Sequence, residues 1–122
     1  MTDHIATHRD GAVSVIRMNR PEKKNALTSA MYAAMAEALK AGEADHAVAV
    51  HVLFGVPGAF TAGNDLEDFA RAAATGNLGL QVLDFLMALA NLEKPIVCGV
   101  DGLAIGIGTT ALLHADLVYA SD

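Results

Sequence analysis

Apolar and polar positions alternate or run apolar over residues 4 to 9 and 12 to 18, on either side of Asp10-Gly11, a dipeptide suited to the positive dihedrals of a tight turn. The pattern predicts a β-hairpin. Asn19 to Ala26 is polar and contains Pro21, which makes it a loop. Thr28 then offers an N-cap to a helix with the apolar stripe Met31, Met35, Ala38 and Leu39, expected to end near Gly42. The β-rich run from Ala47 to Phe54 predicts a buried strand, and a second helix is expected to start near Asp65. Gly76 interrupts the periodicity. Leu78 to Leu92 resumes it with Val82, Leu83, Leu86, Leu89 and Ala90 on one face, and Pro95 ends that helix. Ile96 to Val100 reads as a strand, Asp101 to Gly108 as a glycine-rich loop, Thr109 to His114 as an apolar helix and Leu117 to Ala120 as the start of another strand. Strand, loop and helix in repeated order imply an α/β fold with parallel pairing in one undivided domain.

With 53% hydrophobic residues in 122, the chain has material for a core and is globular. Its apolar runs are broken before the roughly 18 to 20 residues a membrane span needs, and MTDHIATHRD lacks the apolar region of a signal peptide, so the protein is expected in the cytoplasm. The lone Cys98 cannot form an internal disulfide and reads as a buried thiol. A net charge of −6 argues against nucleic acid as a partner. Five of the eight basic residues precede position 25, so Arg20 to Lys24 is the natural place for a phosphorylated ligand. His4, His8, His46, His51 and His114 show no metal-ligand spacing, and no metal site is expected; His114 is expected in the interior.

The chemistry lies in two loops. A strand leads into a glycine-bearing turn and then a helix twice, through Phe60-Thr61-Ala62-Gly63-Asn64-Asp65-Leu66 and through Gly102-Leu103-Ala104-Ile105-Gly106-Ile107-Gly108. The first N–H groups of a helix have no internal partner and sit at the positive end of its dipole, so they attract developing negative charge. Two such termini aimed at one point would make an oxyanion hole, and glycine lets a carbonyl oxygen come within about 3 Å of the backbone. The second loop reads G-x-x-x-G-x-G rather than G-x-G-x-x-G, which disfavours a nicotinamide cofactor. Asp65 suits a helix cap, and Glu67 and Asp68 are expected to face solvent and complement the dipole.

Asn19-Arg20-Pro21 with Asn25-Ala26-Leu27, then Phe60 to Leu66, Lys94-Pro95, Val100-Asp101-Gly102, Gly106-Ile107-Gly108 and Ala115-Asp116 resemble, in order and spacing, the enoyl-CoA hydratase/isomerase (crotonase) family. The resemblance runs from about residue 5 to the end of the chain. It implies the ClpP/crotonase-like spiral of ββα repeats, with residues 1–122 the N-terminal part of one domain that is incomplete at its C-terminus. It also implies that the backbone N–H groups of Asn64 and Ile107 hold a thioester oxygen. Lys24, Ala26 and Leu27 would line the pantetheine and phosphate end, the backbone of Ala62 would meet the adenine, and Asp65 and Leu66 would border the acyl pocket; Gly106 and Thr110 complete the implied binding set. Coenzyme A would enter as part of an acyl-CoA substrate, with no separate cofactor, and the family's assembly would be a trimer or dimer of trimers.

The sequence departs from typical hydratases of this family at Thr110, where they carry a glutamate. Adding water calls for two groups to handle the water and a proton, whereas one base can shift a double bond. Asn64-Asp65-Leu66 with Gly108-Thr109-Thr110 resembles the enoyl-CoA delta-isomerase branch, whose catalytic glutamate would fall after Asp122. Removing an α-proton from a thioester places charge on its oxygen, and each preorganised donor lowers that barrier by roughly 3 to 4 kcal/mol. The reading is therefore a 3-enoyl-CoA to 2-enoyl-CoA isomerase, with a hydratase whose base lies downstream and a non-catalytic acyl-CoA-binding subunit as alternatives.

Overall fold

A computed structural model of the chain describes residues 2–76 and 79–121. The hairpin forms as expected: β1 (Ile5–Asp10) pairs antiparallel with β2 (Val13–Met18), and Gly11, at φ +59°, makes the turn. A single 3-10 turn, Pro21–Lys23, occupies the polar loop. Helix α1 (Ser29–Ala44) follows, with the Thr28 hydroxyl accepting from the Met31 N–H. Next come β3 (Val50–Phe54), β4 (Ala59–Thr61), α2 (Leu66–Ala74), α3 (Leu80–Ala90), β5 (Ile96–Val100), β6 (Leu103–Ala104), α4 (Ile107–His114) and β7 (Leu117–Ala120).

The main sheet has the order β1-β2-β3-β5-β7, parallel from β2 onward, and β4 pairs parallel with β6 in a second, two-stranded sheet. The ββα unit is therefore present twice, as β3-β4-α2 and β5-β6-α4. Because β3 lies beside β5 and β4 beside β6, the two units stack, and their glycine turns fall next to each other.

The core lies between the main sheet and α1 and α3. The register places Ile16, Leu53 and Cys98 in one row across the sheet and Ser14, His51 and Ile96 in the next, all buried. Met31, Tyr32, Met35, Ala36 and Leu39 of α1 and Phe85 and Leu89 of α3 cover these rows. Each such large apolar side chain contributes about 1.5 to 3 kcal/mol by leaving water. The opposite face carries Arg17, whose guanidinium stands 4.9 Å over the Phe54 ring. Among the described residues no helix is long and apolar enough to cross a membrane.

Several boundaries and faces differ from expectation. Helix α1 runs through Gly42 to Ala44, because Gly42 is buried against the His51 ring, where a Cβ would come within 2.6 Å of Cε1. Strand β3 begins at Val50, three residues after Ala47. Helix α3 stops at Ala90, capped by Asn91 before Pro95, and its expected start at Leu78 lies outside the described residues. Its core face is Val82, Phe85 and Leu89, while Leu83 and Ala90 are exposed, since packing against Tyr32 turns Phe85 inward. The expected Asp101 to Gly108 loop contains the short strand β6, which lets it pair with β4. His114 is exposed in the last turn of α4, not interior, because the buried positions of that helix among the described residues, Gly108 and Ala111, lie nearer its start, where it packs on β4 and the core.

Candidate functional site

The site is built from the polar loop before α1 and the two glycine turns. Asn25, fully buried and left-handed at φ 58°, joins the loop to the strand that leads into the first turn. Its Oδ1 accepts from the Arg20 N–H at 2.7 Å, and its Nδ2 donates to the carbonyls of Met18, Ala59 and Phe60, each at 3.1 Å. The Thr61 hydroxyl donates to the Asn25 carbonyl at 2.6 Å and accepts from the Gly63 N–H at 3.1 Å. Through its side chain and its carbonyl together, Asn25 serves the loop and the length of β4, and so fixes where the first turn begins.

Asn64 sits in a parallel bridge with Leu27: the Leu27 N–H donates to the Gly63 carbonyl and the Asp65 N–H to the Leu27 carbonyl, both at 2.8 Å. The Gly63 carbonyl and the Asn64 N–H belong to one trans peptide, in which they point in opposite directions. Anchoring the carbonyl on Leu27 thus turns the Asn64 N–H away from Leu27, and among the described residues that N–H has no acceptor. Gly63 stands at φ +93°, a conformation a Cβ would strain.

The second turn has the same logic. Ile107 opens α4, so its N–H is one of the groups a helix leaves unpaired, and it too has no acceptor among the described residues. The carbonyl of the same peptide, that of Gly106, accepts from the Thr110 N–H at 3.2 Å and directs the Ile107 N–H outward. The two turns touch. The Ile105 N–H donates to the Thr61 carbonyl at 3.0 Å, and a Cβ on Gly63 would lie 3.4 Å from the Ile105 carbonyl oxygen and one on Gly106 3.9 Å from Gly63 Cα. Gly108 lets α4 approach β4, since a Cβ there would meet Thr61 Cγ2 at 2.5 Å.

Charge is held at the start of α2. Asp65 caps the helix by accepting from the Asp68 N–H at 2.9 Å and pairs with Arg20 Nη1 at 2.7 Å. The hydrogen bond from the Asp68 N–H and then the Arg20 guanidinium hold its carboxyl below the usual range. Asp68 does not face solvent as expected: its Oδ2 accepts from both the N–H and the hydroxyl of Ser29 at 2.8 Å, tying α2 to the start of α1. Arg20, named with Lys24 for a phosphorylated ligand, spends its Nη1 on Asp65 and the Ala26 carbonyl.

Around this centre, Lys24 is exposed at φ 51°, beside exposed Lys23. Its carbonyl takes the Ala62 N–H at 3.0 Å, and among the described residues the Ala62 carbonyl has no donor. Ala26 is half-buried and Leu27 buried, its side chain in the core and only its backbone serving the turn. Leu66 is 81% exposed, and Gly106 and Thr110 are exposed at the second turn. A groove of about 600 Å³ between α1 and α3, lined by Leu39, Lys40, Asp84 and Met87, shares no residue with either turn.

Sequence reasoning missed Asn25 as the joint and Tyr32 altogether. Tyr32 is buried beside Met31 and Met35 and donates its hydroxyl to Asn64 Oδ1. The available signal was a phenol on an apolar helix face, whose hydroxyl must find a partner.

Stacked ββα units with adjoining glycine turns are the crotonase fold, and the solved structure of Pseudomonas aeruginosa OdaA matches it at a TM-score of 0.91 and 43% identity, over 98% of this chain and 48% of that one. The chain belongs to the enoyl-CoA hydratase/isomerase family, whose model matches residues 8–122. It is 39% identical to enoyl-CoA delta isomerase 2 of Rattus norvegicus, over 97% of the chain and 31% of that protein. It is 31% identical to the mitochondrial enoyl-CoA hydratase of Pongo abelii, over 93% of the chain and 39% of that protein. The chain thus spans between about a third and a half of the length of these relatives.

Proposed function

We propose that the chain holds the thioester carbonyl of an acyl-CoA on the N–H groups of Asn64 and Ile107, as part of one crotonase domain that shifts a 3-enoyl-CoA double bond to the 2-position. The observation that carries this reading is the pair of anchored peptides: Leu27 fixes the Gly63 carbonyl and Thr110 the Gly106 carbonyl, so each peptide presents its N–H on the far side. Donors held in this way need no reorganisation when charge forms. A hydrogen bond to the carbonyl of a peptide also polarises its N–H, which strengthens the donor.

In the proposed reaction a base removes a proton from C2 of the substrate. The electron pair passes into the thioester, leaving negative charge on its oxygen between the two amides. The double bond re-forms between C2 and C3 as a proton is delivered to C4. Asp65 and Asp68 are not that base, being committed to Arg20 and Ser29. Thr110 supports isomerisation over hydration, because it stands at the implied place of a hydratase glutamate and carries no titratable group at neutral pH. Lys23 and Lys24, exposed on the loop whose Lys24 carbonyl holds the Ala62 N–H, suit the phosphates of coenzyme A, and the Ala62 backbone its adenine; a trimer or dimer of trimers is the assembly proposed for the whole protein.

The test is an assay of the intact protein with 3-enoyl-CoA and 2-enoyl-CoA thioesters. Conversion of the first to the second is expected. Hydration of 2-enoyl-CoA without isomerisation overturns the choice of reaction and favours the second reading, a hydratase, which the likeness to the Pongo abelii enzyme supports. Binding of both thioesters with no turnover overturns the catalytic reading.

A further inference from the structure

Resting on that reading of Asn64, we propose that Tyr32 is a positioning residue for the oxyanion site: its hydroxyl, donated to Asn64 Oδ1, fixes the residue whose N–H holds the substrate oxygen.

The bridge to Leu27 is short and lies outside both sheets, so it holds the Asn64 backbone by only two hydrogen bonds, with no strand on either side to extend it. Asn64 is exposed and follows Gly63, whose backbone is conformationally permissive, so without a tether on its side chain the Asn64 peptide has room to reorient. Tyr32 has the opposite character. It is 1% exposed, its backbone is fixed in the first turn of α1, and its ring is packed on Phe85 with centroids 5.7 Å apart and planes at 52°. Such a ring has one position, and its hydroxyl is delivered to one place. The narrow space between α1, α2 and α3 beside it measures about 10 Å³ and is lined by Tyr32, Asn64, Asp65 and Val82, leaving the phenol little room to turn elsewhere. Burial also raises the Tyr32 pKa, so the phenol stays neutral and remains a donor. Three elements thus converge on Asn64: the loop through Leu27, α2 through the Asp65 cap, and α1 through Tyr32. Among the described residues, only the last grips the Asn64 side chain.

Two variants of the intact protein test this. Tyr32→Phe removes the hydroxyl and keeps the ring; Asn64→Ala keeps the N–H and removes the acceptor. The readouts are kcat and KM with 3-enoyl-CoA, and the near-ultraviolet band of a bound conjugated aryl-CoA thioester, which moves to longer wavelength when its carbonyl is polarised. The unaltered protein is expected to shift the band. Each variant should lose part of that shift and about ten- to a hundredfold in kcat with little change in KM, the scale at which misplacement of a reacting group is felt. The double variant should be no worse than either single one, since both cut the same link. Full shift and full kcat in Tyr32→Phe, or losses that multiply in the double variant, overturn the proposal. If Tyr32→Phe does not fold, Asn64→Ala alone decides: loss of shift supports the proposal, and full shift and kcat overturn it. An unaltered protein that binds the thioester with no shift removes the carbonyl-holding role of Asn64 and Ile107 itself, and this inference with it.

Discussion

Arg20 Nη1 lies 2.7 Å from Asp65 Oδ2, with the two side chains only 14% and 12% exposed, so a loop residue and a helix cap 45 positions apart form one partly buried pair. The pair closes the α2 end of the loop that carries Asn64. Arg20→Ala leaves the carboxylate facing the Ala26 carbonyl without its partner and is expected to cost about 2 kcal/mol, below the roughly 3 to 5 kcal/mol of a fully buried pair. Urea denaturation measures it. Asp65→Asn keeps a good N-cap and removes only the charge, so it should cost less than Asp65→Ala.

The same pair sets a pH dependence. The Asp65 carboxyl titrates below its ordinary value of 3.8, so its contribution is fully present above that value and is lost as pH falls through the lower folded-state value. Melting temperature followed from pH 6 to pH 2 should fall on the acid side, and Asp65→Asn should flatten that limb. An unchanged slope in the variant would assign acid sensitivity to other carboxylates.

Asn25→Ala should be among the most damaging single changes. It leaves the Arg20 N–H and the carbonyls of Met18, Ala59 and Phe60 short of a partner in a fully buried place, and it puts alanine at φ 58°. A loss of roughly 2 to 4 kcal/mol is expected from unpaired buried groups, read as a lower denaturation midpoint with unchanged slope.

Gly108→Ala tests the close approach of α4 to β4. The added methyl meets Thr61 Cγ2 at 2.5 Å, so one of the two elements must move, at a cost of about 1 to 3 kcal/mol. Thr61→Ser removes that methyl and keeps the hydroxyl that bonds Asn25. The double variant Gly108→Ala, Thr61→Ser should therefore regain much of the loss, which a double-mutant cycle in denaturant reads directly.

Cys98 is fully buried in the sheet, and burial pushes its thiol up to about 11. A disulfide reagent added at neutral pH should label it only as the protein unfolds, so labelling rate against urea concentration reports opening of the main sheet. Prompt labelling in the absence of urea would contradict the packing of β5.

Much of the frame was legible because it rests on period and punctuation. Asp10-Gly11, Thr28, Asp65 and the run Ile96 to Val100 act locally, and each appears where the pattern puts it. The failures are tertiary. Gly42 reads as a helix stop, yet here its missing side chain makes room for His51. Leu83 and Phe85 lie on opposite faces of α3, and the Tyr32 ring, invisible to the period of α3, decides that the Phe85 face turns inward. Asp68 satisfies every rule for a solvated helix start but meets Ser29 from 39 positions away. The glycine turns themselves were legible, whereas Asn25, which ties the loop to β4 ahead of the first of them, looks like any polar loop residue until its four side-chain hydrogen-bond partners are seen.

The anchoring of the Asn64 and Ile107 peptides is almost wholly main chain to main chain, through Leu27, Ile105 and Thr110. Such scaffolding is indifferent to which side chains those positions carry, so the surrounding walls can be rewritten while the donors stay put. A library randomised at Leu66, Ile105 and Thr110 should consequently yield many folded variants differing in which thioesters they accept, and few in which the amides themselves are displaced.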